Sequence, residues 1–317
     1  MKVLIKTPSR IHLGFLDLRG DLGRIYGSVG FAIKYPYTLI SIQDSDKLEI
    51  HSDDKRVFTY VKNIINYFKI TPNFRVDVLK YIPAHVGLGS GTQLSLAVAY
   101  GISIYTGAQY SIEEAAKILG RGKRSGIGIY SFKYGGFIVD GGISKEGELP
   151  PLIFNYKFPE DWVIVIGIPN IERNIHGEYE VTLFNKLIAR LKRESLVPCE
   201  ASRILLMSMI PALIKKDIVS FGEAITRFEV EVGKMFSYVQ GGIYRSPIIQ
   251  KGIEFLLSNG AYGSGQSSWG PAFYGITDKD NYQKIADKLK SFLKSYGGGD
   301  IIVSSPNNEG AKALILE

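Results

Sequence analysis

Ile82-Pro83-Ala84-His85-Val86-Gly87-Leu88-Gly89-Ser90-Gly91-Thr92-Gln93 lies between a β-like run, Asn73 to Tyr81, and a helix-like run, Leu94 to Tyr105. Glycines let a backbone reach positive φ and approach a ligand closely. The first amides of the following helix have no intrahelical partners, and the helix dipole places partial positive charge there. The pattern is that of a phosphate cradle, with Gly87, Gly89, Ser90, Gly91, Thr92 and Gln93 as its candidate donors. A tight strand-to-helix turn with no ligand has the same local spacing. The loop is not a dinucleotide fingerprint, because Thr92 stands where the last glycine belongs. Nor does Gly122-Lys123 make a Walker A loop, since the upstream glycine and the following Ser/Thr are missing.

Working outward, 317 residues with 45% hydrophobic content suffice for one large core or two smaller ones. There is no run of about 18 apolar residues, so no transmembrane helix is expected. The start, Met1 to Pro8, turns polar too soon for a signal peptide. The single cysteine, Cys199 after Pro198, excludes an intramolecular disulfide and fits a reducing cytoplasm. The net charge of +7 suits anionic partners. The densest basic clusters are Arg121 to Arg124, set among glycines, and Lys186 to Arg193, with the spacing of a solvated helical face. No zinc-finger or RNP signature accompanies them, so nucleic acid is not the expected partner.

Residues Lys2 to Ile50 read as several strands. Asp53 to Phe68 carries apolar residues at helical spacing, Asn73 to Ile82 returns to strand, and Leu94 to Tyr105 is a helix apolar on most sides. Ser111 with Glu114 forms a capping box. Gly135 to Val139 is a strand, and Gly141 to Pro151 reads as a linker. Beyond it come strands at Ile153–Tyr156, Trp162–Ile168, Ala272–Ile276, Ile301–Val303 and Ala313–Leu316. Helices are expected at Gly177–Lys192 (opened by His176), Pro198–Lys215, Ile218–Met235, Pro247–Ser258 and Asn281–Ser295. Strands and helices mix without steady βα alternation, which argues an α+β class. The expected domains are residues 1–150, carrying the loop, and 151–317.

The loop, together with Ser9 to Asp17 and Gly263 to Pro271, resembles the three motifs of the GHMP kinase superfamily. The words Arg10-x-His12-x-Gly14-x-x-Asp17, Gly87 to Gln93, Gly120-Arg121-Gly122-x-Arg124-Ser125-Gly126-Ile127-Gly128, Gly135 to Gly142 and Gly265-Gln266-Ser267-Ser268-Trp269-Gly270-Pro271 are similar to those of the β-ribofuranosylaminobenzene 5′-phosphate synthases. The resemblance implies a GHMP kinase-like two-domain fold, with a ribosomal protein S5 domain 2-like first domain and a ferredoxin-like second. It implies a homodimer. The implied reaction joins phosphoribosyl diphosphate to 4-aminobenzoate or 4-hydroxybenzoate, with loss of diphosphate and CO₂, in the making of a tetrahydromethanopterin-type cofactor.

That chemistry says what to look for. The departing diphosphate needs amides, cations and Mg²⁺, with no organic cofactor. The loop, Arg121, Arg124 and Ser125 are the candidates for the phosphates, and no residue is singled out as a metal ligand. Since CO₂ leaves the carbon that attacks, no proton is abstracted there. A group accepting a hydrogen bond from the para substituent would push electrons into the ring. His12 and Asp17 are candidates, beside Arg10. On a regular strand Arg10 and His12 share a face, and Asp17 comes round only if a bulge or turn lies near Gly14. Tyr130, Gln266, Ser267, Ser268 and Trp269 are candidates for the aromatic acceptor. Asp140 reads as a turn carboxylate or a metal ligand. The competing reading is an ATP-dependent small-molecule kinase on the same fold. It is weakened because Ser125-Gly126 is followed by Ile127-Gly128-Ile129-Tyr130 with no acid.

Overall fold

The computed structural model describes residues 1–172, 177–191 and 199–316. His176, Pro198 and the end of the Lys186–Arg193 cluster lie outside the described residues. The chain opens with β1 (Lys2–Asp17), β2 (Tyr26–Asp44) and β3 (Glu49–His51), then α1 (Arg56–Phe68) and β4 (Phe74–Lys80). The helices α2 (Ser90–Thr106), α3 (Ile112–Ile118) and α4 (Ile127–Lys133) precede β5 (Phe137–Asp140), β6 (Leu152–Tyr156) and β7 (Trp162–Pro169). Next come α5 (Gly177–Leu191), α6 (Cys199–Ile204), a π-helical turn (Leu205–Met209), α7 (Ile210–Lys215), α8 (Ile218–Gln240) and α9 (Pro247–Ser258). The chain ends with β8 (Gly263–Gln266), β9 (Phe273–Asp278), α10 (Tyr282–Ser295), β10 (Gly299–Ser304) and β11 (Lys312–Leu316).

Two sheets organise these elements. The larger has the order β11-β1-β2-β4-β3, with β5 and β6 branching from β2. The smaller is an antiparallel sheet of order β10-β7-β9-β8. In chain order that is fourth, first, third, second, the ferredoxin-like arrangement, and the whole is α+β as expected. The boundary expected at residue 150 is not where the sheets divide. Both β6 and β11 lie beyond it yet belong to the first sheet. Gly141 to Pro151 is accordingly a connection between two paired strands of one sheet rather than an interdomain linker.

The β1–β2 pair is long and twice irregular, and the irregularities place the site. Val3 and Ile5 pack with α1 and α2 in one core. The register then shifts between Thr7 and Ser9. Beyond it Ile11 and Leu13, still odd-numbered, pack in the core shared with the second domain. The even-numbered Arg10 and His12 are thereby turned toward α2 and α4. A second shift lies between His12 and Gly14, where Leu13 is the extra residue of a bulge. Gly14 sits there at φ 142, and a Cβ would stand 2.5 Å from Val232 on α8.

α3 begins with the expected capping box: Ser111 accepts from the Glu114 amide, and Glu114 accepts from the Ser111 amide. Ser111→Ala is expected to cost about 1 kcal/mol in a urea unfolding curve. No helix among the described residues is long and apolar enough to cross a membrane.

Candidate active site

A cleft of ≈ 830 Å³ opens where the first domain meets the second. Arg10 from β1, Thr92 from α2 and the whole Gly120–Ser125 turn line one side, and Ile143 to Gly147 line another. Phe184, Ser268 and Trp269 close it from the second domain. Arg10, Arg121, Lys123, Arg124 and Lys145 face this space against one lining carboxylate, Glu146. Like charges held that close repel one another through a partly desolvated medium. A polyanion relieves that repulsion.

The glycine loop leads straight into a helix. α2 begins at Ser90, four residues before the apolar run, after Gly89 at φ 82. A Cβ on Gly89 would meet the Arg10 side chain at 3.1 Å. Arg121 is braced between two helices, donating to Ser95 Oγ of α2 at 3.1 Å and to Tyr60 Oη of α1 at 2.5 Å. The Arg124 guanidinium lies 4.1 Å over the Phe184 ring.

His12 sits at the inner wall, 5% exposed. Its Nε2 is 3.1 Å from Ser125 Oγ, which is 2.6 Å from Ser28 Oγ. Ser28 in turn donates to Asp140 Oδ2. Burial, then Arg10 and Arg124, bring the imidazole pKa down to about 3, so the ring is neutral at pH 7. Asp140 is fully buried and accepts from the amides of Ser28, Gly126 and Gly142 at 3.1, 2.8 and 3.0 Å. Burial pushes its carboxyl up while these hydrogen bonds oppose the rise.

The second domain clamps this wall. Ser267 Oγ accepts from the His12 amide at 3.1 Å and donates to Gly87 O at 2.8 Å. The Ser268 amide donates to His12 O at 2.9 Å, and the Ala272 amide to Val86 O at 3.1 Å. Arg10 Nη1 also donates to Gly87 O. Behind His12 the rings of Phe15, Phe184, Phe236 and Trp269 form an aromatic box. Trp269 meets Phe184 and Phe236 edge-on at 5.5 and 5.1 Å, and Phe15 lies 5.1 Å from the imidazole. A small chamber of ≈ 40 Å³ continues inward from the box. It shares His12, Phe15, Ser268 and Trp269 with the cleft and is lined by Glu229 of α8. Glu229 accepts from Tyr274 Oη at 2.8 Å, and burial drives its pKa well up.

The same arrangement of folds and motifs occurs in known proteins. The GHMP kinases N terminal domain profile matches residues 55–136, and the GHMP kinases C terminal profile matches 209–295. The β-ribofuranosylphenol 5′-phosphate synthase of Methanothermobacter thermautotrophicus is 35% identical over 98% of this chain and 98% of its own. That of Methanocaldococcus jannaschii is 35% identical over 98% and 99%. The chain belongs to the β-ribofuranosylphenol 5′-phosphate synthase family. Among solved structures, Lactococcus lactis galactokinase shares the fold at a TM-score of 0.74, with 14% identity over 98% of this chain and 95% of that one.

Within this family fold, the sequence-read residues separate into groups. Arg10, His12, Thr92, Arg121, Arg124, Ser125, Ser268 and Trp269 converge on the cleft. Ser90 faces a second, shallower cleft on the far side of the loop. Gln93 is fully buried and donates to Gly128 O at 2.8 Å, so its side chain ties α2 to α4 and does not reach the anion space. Gly87 serves the domain contact, since a Cβ there would stand 2.3 Å from Ser267 O.

Asp17 does not join the site. The bulge that would bring it round is present, but Asp17 pairs with Tyr26 at the hairpin end and accepts from the Arg19 and Gly20 amides at 2.6 and 3.2 Å. Tyr130 is also elsewhere, its hydroxyl donating to Pro150 O at 2.6 Å and its ring in the first core. Ser267 is a structural link, whereas Gln266 lines the inner chamber, its Oε1 accepting from the Arg245 amide and its Nε2 donating to Ser268 O. Sequence reasoning missed Ser28, Phe15, Phe184, Phe236 and Glu229. A lone serine and a phenylalanine in β-rich runs, and two phenylalanines and a glutamate in helices, carry no local signal of a shared cavity.

Proposed function

We propose that the chain catalyses a decarboxylating C-glycosyl transfer between phosphoribosyl diphosphate and 4-hydroxybenzoate. The observation that carries it is the position of His12, a neutral imidazole at the wall between a cleft of cations and a box of aromatic rings. The curated relatives are phenol 5′-phosphate synthases, which supports the hydroxy rather than the amino acceptor. In this reading Arg10, Arg121 and Arg124 hold the phosphates, and guanidinium forks suit their oxygens. The α2 amides add fixed dipoles where charge develops. Mg²⁺ fits as the companion of the diphosphate, with Glu146 as the carboxylate that would hold it, and it would neutralise leaving oxygens.

The acceptor ring lies against Phe15, Phe184 and Trp269. As the C1–oxygen bond breaks, its electron pair leaves with diphosphate. A ring electron pair then forms the carbon–carbon bond at the carbon bearing the carboxylate. The carbon–carboxylate pair returns to the ring as CO₂ departs. His12 accepts a hydrogen bond from the para hydroxyl, which becomes strongly acidic as the ring attacks. Burial, helped by Arg10 and Arg124, holds the ring neutral beforehand and keeps that acceptor available at pH 7.

Incubation with phosphoribosyl diphosphate, Mg²⁺ and 4-hydroxybenzoate is expected to release diphosphate and CO₂ in equal amounts. No release with the hydroxy or the amino acid refutes the reading. Phosphoribosyl diphosphate at a hundred times its Kd is expected to stabilise the fold by about 2.7 kcal/mol, a rise in Tm of roughly 5 °C for a chain of this size.

The second reading, an ATP-dependent kinase, draws on the cleft of ≈ 410 Å³ beside Ser90, Ala84 and His85 on the other side of the loop. ATP raising Tm while phosphoribosyl diphosphate leaves it unchanged would favour that reading.

A further inference from the structure

With Asp140 ionised, the hydrogen-bond chain behind His12 takes one ordering of its protons. Each Asp140 oxygen faces two donors: Oδ1 the amides of Ser28 and Gly142, Oδ2 the amide of Gly126 and the Ser28 hydroxyl. Three of these donors are amides, which can only donate, and together they favour the ionised carboxylate. The Ser28 hydroxyl proton is therefore committed to Asp140. At 2.6 Å the proton between the two serines must then come from Ser125. Ser125 Oγ has its one proton so used and two lone pairs left. One accepts from the Ile127 amide at 3.2 Å, and the other accepts from His12 Nε2 at 3.1 Å. His12 thus carries its proton on Nε2. Nδ1 is left as a bare lone pair, buried and making no hydrogen bond among the described residues.

We propose that Asp140, acting through Ser28 and Ser125, is the positioning group that holds His12 in the Nε2–H tautomer and so makes Nδ1 the atom that accepts the proton of the acceptor's para hydroxyl. This rests on the function proposed above. The proton balance is closed. The hydroxyl O–H bond breaks as its proton passes to Nδ1, and the oxygen lone pair enters the ring as C1 is attacked. After CO₂ leaves, the proton returns to the oxygen and the phenol is restored. The Nε2–H keeps its bond to Ser125 throughout, and the buried Asp140 charge steadies the transient imidazolium. The wrong tautomer would present a donor to a donor. A carboxylate that orients an imidazole in this way is a general device, and losing it harms turnover without removing the reacting groups.

The experiment is nitrogen-15 NMR of the histidine-labelled full-length protein without substrate, alongside steady-state kinetics. There are four histidines, and the His12 signals are identified by their loss in His12→Gln. In the wild type His12 is expected to be neutral and protonated at Nε2. Because Asp140→Asn sets an amide NH2 against the buried donors of one of the two oxygens and endangers folding, Ser28→Ala is the primary variant. It breaks the chain while leaving those amides bound. Ser28→Ala is expected to show mixed tautomers and a kcat lowered about tenfold to a hundredfold, with KM for phosphoribosyl diphosphate unchanged. A wild-type His12 protonated at Nδ1 overturns the proposal, as does a Ser28→Ala protein with the wild-type tautomer. If the tautomer responds as expected but no C-riboside forms with the wild type, the functional reading fails and the ordering of His12 stands.

Discussion

His12→Ala is expected to lower kcat by about 10²–10⁴-fold, the range for loss of a positioned proton acceptor, while binding of phosphoribosyl diphosphate is nearly unchanged. The cations that grip the sugar phosphates are separate side chains, so their contribution survives. The same substitution has a second readout in acid. An unfolded histidine titrates near 6.5, whereas folded His12 resists protonation down to about 3. Between those values the unfolded chain binds a proton that the folded chain refuses, so stability from this group is present above 6.5 and is lost as pH falls. From pH 7 to pH 4 the loss is about 3 kcal/mol, at 1.36 kcal/mol per pH unit. Urea midpoints followed over that range are expected to fall more steeply for the wild type than for His12→Ala. Parallel pH curves together with an unchanged kcat would remove His12 from the site.

Gly87→Ala is expected to be strongly damaging. Gly87 has φ 93, a region costly for any residue with a Cβ, and its Cβ would stand 2.3 Å from Ser267 O. That oxygen is backbone in a segment fixed by hydrogen bonds to His12 and Val86, so it has little room to retreat. Backbone strain of about 1–3 kcal/mol and overpacking of about 1–3 kcal/mol add to roughly 2–6 kcal/mol. Equilibrium unfolding in urea measures it, and a loss below about 1 kcal/mol would show that the domain contact yields easily. Turnover is expected to fall as well, since Ser267 holds both the loop and the His12 amide.

Much of this was legible in the residues. Amphipathic and apolar runs located α1, α5, α8, α9 and α10, because burial of one face follows helical spacing. The glycine word at Gly263 to Gln266 hid a strand, β8, since it holds no β-branched residue and its flatness serves close packing on α8, where Gly222 O is 2.3 Å from a Cβ built on Gly263. α4 was also missed, being two turns long and opening at Gly126 with no side-chain cap. The site was readable where several motif words named charged residues, as with Arg10, Arg121 and Arg124. It was misread where one letter has two uses. Asp17 and Gln93 look chemical in sequence, but a turn and a helix contact claim them. The Ser28–Ser125 link joins residues 97 apart in the chain and leaves no trace in either neighbourhood.

Strand β11 pairs along Lys2 to Lys6, nearly the full length of the chain away. During synthesis β1 therefore leaves the ribosome long before its outer neighbour exists. Until β11 follows, the outer backbone edge of β1 lacks that partner, so a chaperone that shields nascent strand edges has work to do for as long as the second domain is being translated.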